Sequence, residues 1–146
     1  MTTVAYKDGV IAGDTMLTSC QDTLEGYCTK IGKNGDFLTG ISGELTPIST
    51  YLKWFHSFDT FAMKHFDDWT ELDGTFRAIL VHRDGRRWSV GPFGVTCEVT
   101  MDLTAIGSGE DLAKGALAAG ATPAEAVAIA IQFDPYSGGK VDTLAF

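Results

Sequence analysis

Residues 2–14 read Thr2-Thr3-Val4-Ala5-Tyr6-Lys7-Asp8-Gly9-Val10-Ile11-Ala12-Gly13-Asp14. Residues 2–6 and 10–12 are short β-type runs. Lys7-Asp8-Gly9 between them is a strong hairpin signal, because Asp-Gly tolerates the positive φ that a tight primed turn demands. The chain is therefore expected to open as two paired strands, with Asp14 just past the second. Residues 15–25 lead to Gly26-Tyr27-Cys28-Thr29-Lys30-Ile31, then to Lys33-Asn34-Gly35-Asp36 and Phe37-Leu38-Thr39-Gly40-Ile41. The Asn-Gly pair predicts a second hairpin.

From Leu45 the spacing turns helical: Leu52, Phe55, Phe58, Ala62 and Phe66 recur three or four residues apart on a shared face. Thr46-Pro47 predicts an N-cap followed by proline at the first helical position, where its missing N–H is harmless. After a polar break at residues 67–74, residues 76–81, 88–90 and 95–101 read as strands, with a hairpin at Asp84-Gly85. Two helices follow, at residues 109–119 and 123–133. The second carries a capping box, with Thr122 as cap, Pro123 first and Glu125 third. Its remaining surface is almost wholly apolar, including Val127, Ile129 and Ile131, which predicts burial on several sides. Residues 141–146 close the chain as a strand. Strand groups flanking two helical groups suggest sheets covered by helices, an α+β arrangement.

A chain of 146 residues, 45% hydrophobic, fits one domain over residues 1–146 and can build a sizeable core. No stretch approaches the roughly 20 apolar residues of a membrane helix, and the start lacks a basic and an apolar leader region. A soluble, cytoplasmic protein that does not enter membranes is expected. Cys20, Cys28 and Cys97 are odd in number and lack zinc-like spacing, and His56, His65 and His82 do not cluster with them. They read as reduced, structural thiols; neither a metal nor another cofactor is expected. The net charge of -8, with eleven scattered basic residues, argues against nucleic acid as a partner, since phosphate neutralisation needs a positive surface. Arg83, Arg86 and Arg87 flank a turn and read as hairpin-tip charges.

Singly, the remaining polar residues have ordinary explanations. Asp14 could end a strand, Lys30 could be a solvated strand lysine, and Gly43 could supply backbone freedom before a helix. Ser108 could cap the helix that opens at Gly109-Glu110-Asp111, and Ser137-Gly138-Gly139 could be a turn. Together they resemble the proteasome β-subunits and the bacterial HslV peptidase over almost the whole chain. Thr2-Thr3-Val4 matches the mature start of those proteins. Val10-Ile11-Ala12-Gly13-Asp14 resembles their second strand and its aspartate, and Thr18 falls at their substrate-backbone threonine. Thr29-Lys30-Ile31 matches the segment of the buried lysine, at the same separation from the aspartate. Ile41-Ser42-Gly43 is similar to the oxyanion segment, although Glu44 stands where a small residue is common. Ala105-Ile106-Gly107-Ser108-Gly109 matches the family's Gly-Ser-Gly. Asp134-Pro135-Tyr136-Ser137-Gly138-Gly139 resembles the proteasomal Asp-x-Tyr-Ser-Gly-Gly, with an unusual Pro135.

The resemblance implies a four-layer αββα sandwich with a shortened first helical layer, the span from Gly43 to Thr75 being short for the family's helix pair. It also implies hydrolysis of peptide bonds by Thr2, exposed by removal of Met1, with no long propeptide. Threonine hydroxyl is a poor nucleophile until a base takes its proton, and a terminal amine with a pKa of about 7.7–8.0 can do so near neutral pH. In the implied mechanism Lys30 favours the unprotonated amine and developing negative charge, and Asp14 keeps Lys30 charged and oriented. Gly43 donates its N–H to the oxyanion, and Ser108, Asp134 and Ser137 position the Thr2 amine and a hydrolytic water.

By the same resemblance Leu17, Cys28, Gly32, Ile41 and Leu45 would wall the pocket for the side chain before the cut, with Thr18 on the substrate backbone. Core packing is the alternative role for the pocket set. Apolar, uncharged walls would favour a hydrophobic side chain. The implied partners are a peptide or unfolded-protein substrate, further copies in a homo-oligomeric ring, and an ATP-dependent unfoldase. Two other readings stay open: a catalytically silent ring subunit of the same fold, and an N-terminal-nucleophile amidase acting on a small molecule.

Overall fold

The computed structural model describes residues 2–18, 24–57, 74–92, 95–100 and 102–146. Along them run β1 (Thr3–Lys7), β2 (Val10–Asp14), β3 (Met16–Thr18), β4 (Leu24–Tyr27), β5 (Ile31–Asn34), β6 (Phe37–Ser42) and α1 (Leu45–Ser57). These are followed by β7 (Arg77–His82), β8 (Arg87–Val90), β9 (Thr96–Glu98), β10 (Thr104–Gly107), α2 (Glu110–Ala118), α3 (Pro123–Phe133) and β11 (Val141–Ala145). A four-stranded sheet has the order β10-β1-β2-β11, a five-stranded sheet the order β5-β6-β7-β8-β9, and β3 and β4 form a separate ribbon.

The layers follow from strand alternation, which sends neighbouring side chains to opposite faces. In β1, Val4 and Tyr6 face the five-stranded sheet and pack with Ile11, Ile31, Leu38, Ile79, Val81 and Ile106. Ala5, between them, turns the other way, and with Ala12 and Ala105 forms a floor for Ala113 and Leu117 of α2 and Ala126 and Val127 of α3. On the far side of the five-stranded sheet, Ile48, Tyr51 and Phe55 of α1 pack on Ile41, Ala78, Leu80 and Val90. Helix, sheet, sheet and helices are thus held by three apolar seams, and each large buried side chain contributes about 1.5–3 kcal/mol. This is the α+β sandwich expected, with one helix described in the first layer.

The first hairpin turns at Asp8 and Gly9, both at positive φ (50° and 80°), as the Asp-Gly signal predicts. The second hairpin is displaced by one residue: Asn34 pairs with Phe37, so Asn34 ends the strand and Gly35-Asp36 forms the loop. α1 begins at Leu45, earlier than Thr46-Pro47 predicts, which puts Pro47 at the third helical position, where a first-turn residue still needs no N–H. Phe58, Ala62, Phe66 and residues 67–73 lie outside the described residues, as do Cys20 and His65. The strand expected at 95–101 is confined to Thr96–Glu98. The capping box of α3 is present on both sides, Thr122 accepting from the Glu125 N–H and Glu125 from the Thr122 N–H.

Three expectations fail. α3 is not buried on several sides: Ile129 and Phe133 are exposed, because one face of the helix suffices to cover the alanine floor. Cys28 and Cys97 are not structural thiols of the core: Cys28 lies between β4 and β5 and is half-buried, while Cys97 is exposed on β9. Arg87 is not a hairpin-tip charge. Its side chain is 11% exposed and its guanidinium carbon lies 5.8 Å from the centre of the Tyr6 ring, because alternation along β8 turns it inward.

Candidate active site

The ends of β1, β2 and β10 converge with the segment before β5 and the turn after α3. Thr2, immediately before β1, is 1% exposed, and its Oγ1 is buried with no hydrogen-bond partner among the described residues. Its carbonyl lies against Gly107, the last residue of β10. Gly107 takes φ of 102°, and a Cβ there would collide with the Thr2 carbonyl oxygen and carbon. A residue that must have positive φ and no side chain is glycine on both grounds.

Lys30 and Asp14 are brought together as expected. Lys30 Nζ lies 3.0 Å from Asp14 Oδ1 and donates to the Met16 carbonyl at 2.6 Å. Asp14 Oδ1 also accepts from the Thr3 N–H at 2.9 Å, and Oδ2 from the Gly138 N–H at 3.0 Å. Three donors therefore converge on one carboxylate, the condition under which a buried anion is tolerated. Asp14 does end β2, but Lys30 is not a solvated strand lysine, since both residues are almost wholly buried.

A second polar cluster joins the other predicted residues. Asp134 Oδ2 accepts from Ser108 Oγ at 2.6 Å and from Ser137 Oγ at 2.5 Å. Because Ser137 spends its hydroxyl proton on Asp134, the 2.6 Å contact between Thr3 Oγ1 and Ser137 Oγ has Thr3 as donor. The relay therefore runs from Thr3 through Ser137 to Asp134. Ser108 Oγ also lies 3.4 Å from the Thr2 carbonyl oxygen, although its one proton is directed to Asp134. Ser108 does not cap α2, whose N-cap is Gly109 without a side-chain bond. A side chain on Gly109 would run into Thr3 Oγ1.

Gly43 sits in the turn between β6 and α1 with φ of 137°, and a Cβ there would press on the Phe76 and Thr75 backbone. Leu17 and Thr18 lie half-buried on β3, with a bulge between them. Of the predicted pocket walls, Cys28 and Leu45 line a groove of about 410 Å3, with Ile48 and Leu52 of α1. Leu17, Gly32 and Ile41 do not share it. Gly32 faces the Phe55 ring, and Ile41 is fully buried under α1. Nor is the groove uncharged: Lys53 also lines it, beside His56. On its other side Cys28 borders a hollow of about 530 Å3 with Tyr27, Lys140 and Asp142. Burial pushes the Cys28 thiol up from its ordinary 9.0, opposed by the Lys30 ammonium and reinforced by the Asp14 carboxylate.

Sequence reasoning gave no side-chain role to Thr3. The available signal was the alternation that sends Thr3 to the same face as Ala5. The parts played by the Met16 carbonyl and Gly138 N–H carry no residue-type signal at all. Among the described residues no group of three or more His, Cys, Asp and Glu side chains could hold a metal ion, and no helix is long and apolar enough to cross a membrane.

Two sheets between helical layers, with the Thr2, Lys30 and Asp14 constellation at one end, define the proteasome β-subunit and HslV-type fold. Solved structures similar to the chain include BPH of Thiobacillus denitrificans in complex with epoxomicin, with a TM-score of 0.70 and 22% identity over 99% of this chain and 97% of that one. BPH of the same organism in a second structure aligns equally well, at 22% identity over 99% and 96%. Eukaryotic HslV from Trypanosoma brucei has a TM-score of 0.71 and 18% identity over 98% and 97%. No protein-family model and no curated protein sequence matches the chain.

Proposed function

We propose that the protein is a threonine-type peptidase whose nucleophile is Thr2, active once Met1 is removed. The observation that carries this reading is the buried Lys30–Asp14 pair, tied through Asp14 to the Thr3 N–H next to Thr2, whose Oγ1 is buried with no hydrogen-bond partner among the described residues. A lysine held charged where no water solvates it is a poor stabilising device, because burying both ions costs much of what their attraction returns. Its value lies in the field it casts on neighbouring groups.

In the proposed reaction the Thr2 amine takes the Oγ1 proton as Oγ1 attacks the scissile carbonyl carbon. The Lys30 charge favours the neutral amine and the developing alkoxide. The Gly43 N–H donates to the tetrahedral oxyanion. The C–N bond then breaks, the amine returns its proton to the leaving nitrogen, and an ester remains on Oγ1. Water, deprotonated by the same amine, attacks that ester, releasing the carboxylate and restoring the threonine. The Ser108, Asp134 and Ser137 cluster holds the carbonyl end of Thr2 and, through Thr3, the start of β1. In a chain that keeps Met1 the Thr2 nitrogen is an amide and cannot act as base, which is the silent-subunit reading.

The substrate is a peptide or unfolded segment whose side chain before the cut enters the groove of Cys28, Leu45, Ile48 and Leu52. Assembly into a homo-oligomer is part of the reading, supported by the exposed Ile129 and Phe133 of α3; light scattering that finds monomer alone would remove it. An ATP-dependent unfoldase partner and a cytoplasmic location complete the reading; copurification of the chain with an ATPase checks the first and cell fractionation the second. The central test is turnover of fluorogenic peptides by Met1-free protein and its inhibition by epoxomicin, the ligand of the BPH neighbour. Turnover lost in Thr2→Ala supports the peptidase. Small amides cut while peptides are left intact would favour the amidase.

A further inference from the structure

Besides Thr2 Oγ1, two buried side-chain atoms have no hydrogen-bond partner among the described residues: Arg87 Nε and Thr104 Oγ1. Both residues line one cavity of about 160 Å3, between β10 at the edge of the four-stranded sheet and β7 and β8 of the other. Arg77, Ser89 and Lys114 line it too, among apolar neighbours that include Ile79, Trp88 and Ile106. An unpaired buried donor costs about 1–3 kcal/mol, so an orphan on each of two residues that line the same space points to an occupant rich in acceptors.

The local charge points the same way. Arg77 NH1 and Lys114 Nζ share one carboxylate, Glu110, at 2.6 and 3.4 Å. Arg87 NH2 reaches Asp102 Oδ1 at 3.4 Å, but the Asp102 side chain is 98% exposed and its charge is largely screened by water. Three cations facing two carboxylates leave a positive site in a chain whose net charge is -8. The cavity would hold about five water molecules at about 30 Å3 each, or one small oxyanion.

We infer that this cavity binds a small oxyanion of phosphate or sulfate size, held by Arg87 and Thr104, with Arg77 and Lys114 supplying charge at its margin. The guanidinium presents a fixed fork of donors that suits a tetrahedral oxyanion. The Thr104 hydroxyl adds a donor from the opposite sheet. The ion would bridge β8 to β10, the strand whose other end, Gly107, seats the Thr2 carbonyl. Its expected effect is on stability, and it stands independently of the peptidase reading.

The test is calorimetric titration with inorganic phosphate, paired with thermal melts at constant ionic strength. Low-millimolar concentrations avoid the general stabilisation that such salts cause by exclusion from the surface. Phosphate at about ten times its dissociation constant should raise Tm by about 3 °C over chloride. Arg87→Met should abolish binding. If that variant does not fold, Lys114→Ala, a change at a half-exposed helix position, should fold normally and weaken phosphate about tenfold. Heat and Tm no different from chloride would overturn the inference and assign the cavity to water. Equal phosphate binding by the wild type and Lys114→Ala, with Arg87→Met either equal or unfolded, would also overturn it.

Discussion

Lys30 Nζ stands 3.0 Å from Asp14 Oδ1, with the two side chains 1% and 0% exposed. The pair ties the segment before β5 to the end of β2, and Asp14 extends the tie to Thr3 and Gly138. It is therefore a structural joint and, in the proposed mechanism, also the source of the field on Thr2.

These two roles separate in mutants. Lys30→Ala should abolish turnover and also destabilise the fold by about 3–5 kcal/mol, since it strands the Asp14 carboxylate without its charged partner. Lys30→Met in an Asp14→Asn background removes both charges at nearly constant volume. That double variant should recover much of the stability in urea melts while remaining inactive. Wild-type turnover in either folded variant would refute the electrostatic role.

Gly107→Ala tests the seating of Thr2 without touching any charge. The new methyl would occupy the space of the Thr2 carbonyl, and φ of 102° is strained for alanine, at about 1–3 kcal/mol before the clash is counted. Loss of turnover with a lowered Tm is expected. Gly120→Ala serves as control, since it also has positive φ but its Cβ would meet nothing within 4 Å, so it should lower Tm while sparing turnover.

Much of this architecture was legible in the sequence. Asp8-Gly9 set the first hairpin, and the Thr122 to Glu125 box set the start of α3, because in each case the signal is local chemistry. What stayed hidden was set by tertiary partners. Ser108 looks like a helix cap until Asp134 arrives from 26 residues away. Arg87 looks like a turn charge until Tyr6 lies beneath it. Ile129 and Phe133 look like core, yet an α-helix on a flat alanine floor has only one face to bury. Ile41 and Gly32 show the converse: resemblance assigns them to a pocket, while packing against α1 gives them to the core.

The groove makes two linked predictions. Its walls of Leu45, Ile48 and Leu52 should favour leucine, tyrosine or phenylalanine before the cut over glycine by about tenfold or more in kcat/KM. Equal rates would remove the pocket assignment. Cys28, alkylated in a background lacking the other two thiols, should block turnover. Since burial raises its pKa above 9.0, the alkylation rate should still be climbing where a free thiol has levelled off. The sign for stability follows: the folded state holds the thiol proton more tightly, so any contribution is intact below about 9 and is lost as pH rises through the folded value.

Labelling of Thr2 tests the central claim most directly. Protein carrying a removable N-terminal extension should be inert, and cleavage that exposes Thr2 should switch it on. An electrophilic peptide should then add to the protein once, with fragment masses placing the adduct on Thr2. Thr2→Ser should retain some labelling, because a hydroxyl and an amine remain, and Thr2→Ala none. Fully exposed Thr2 in folded, assembled protein that takes up no label and cuts no peptide would contradict the account and leave the chain a silent subunit.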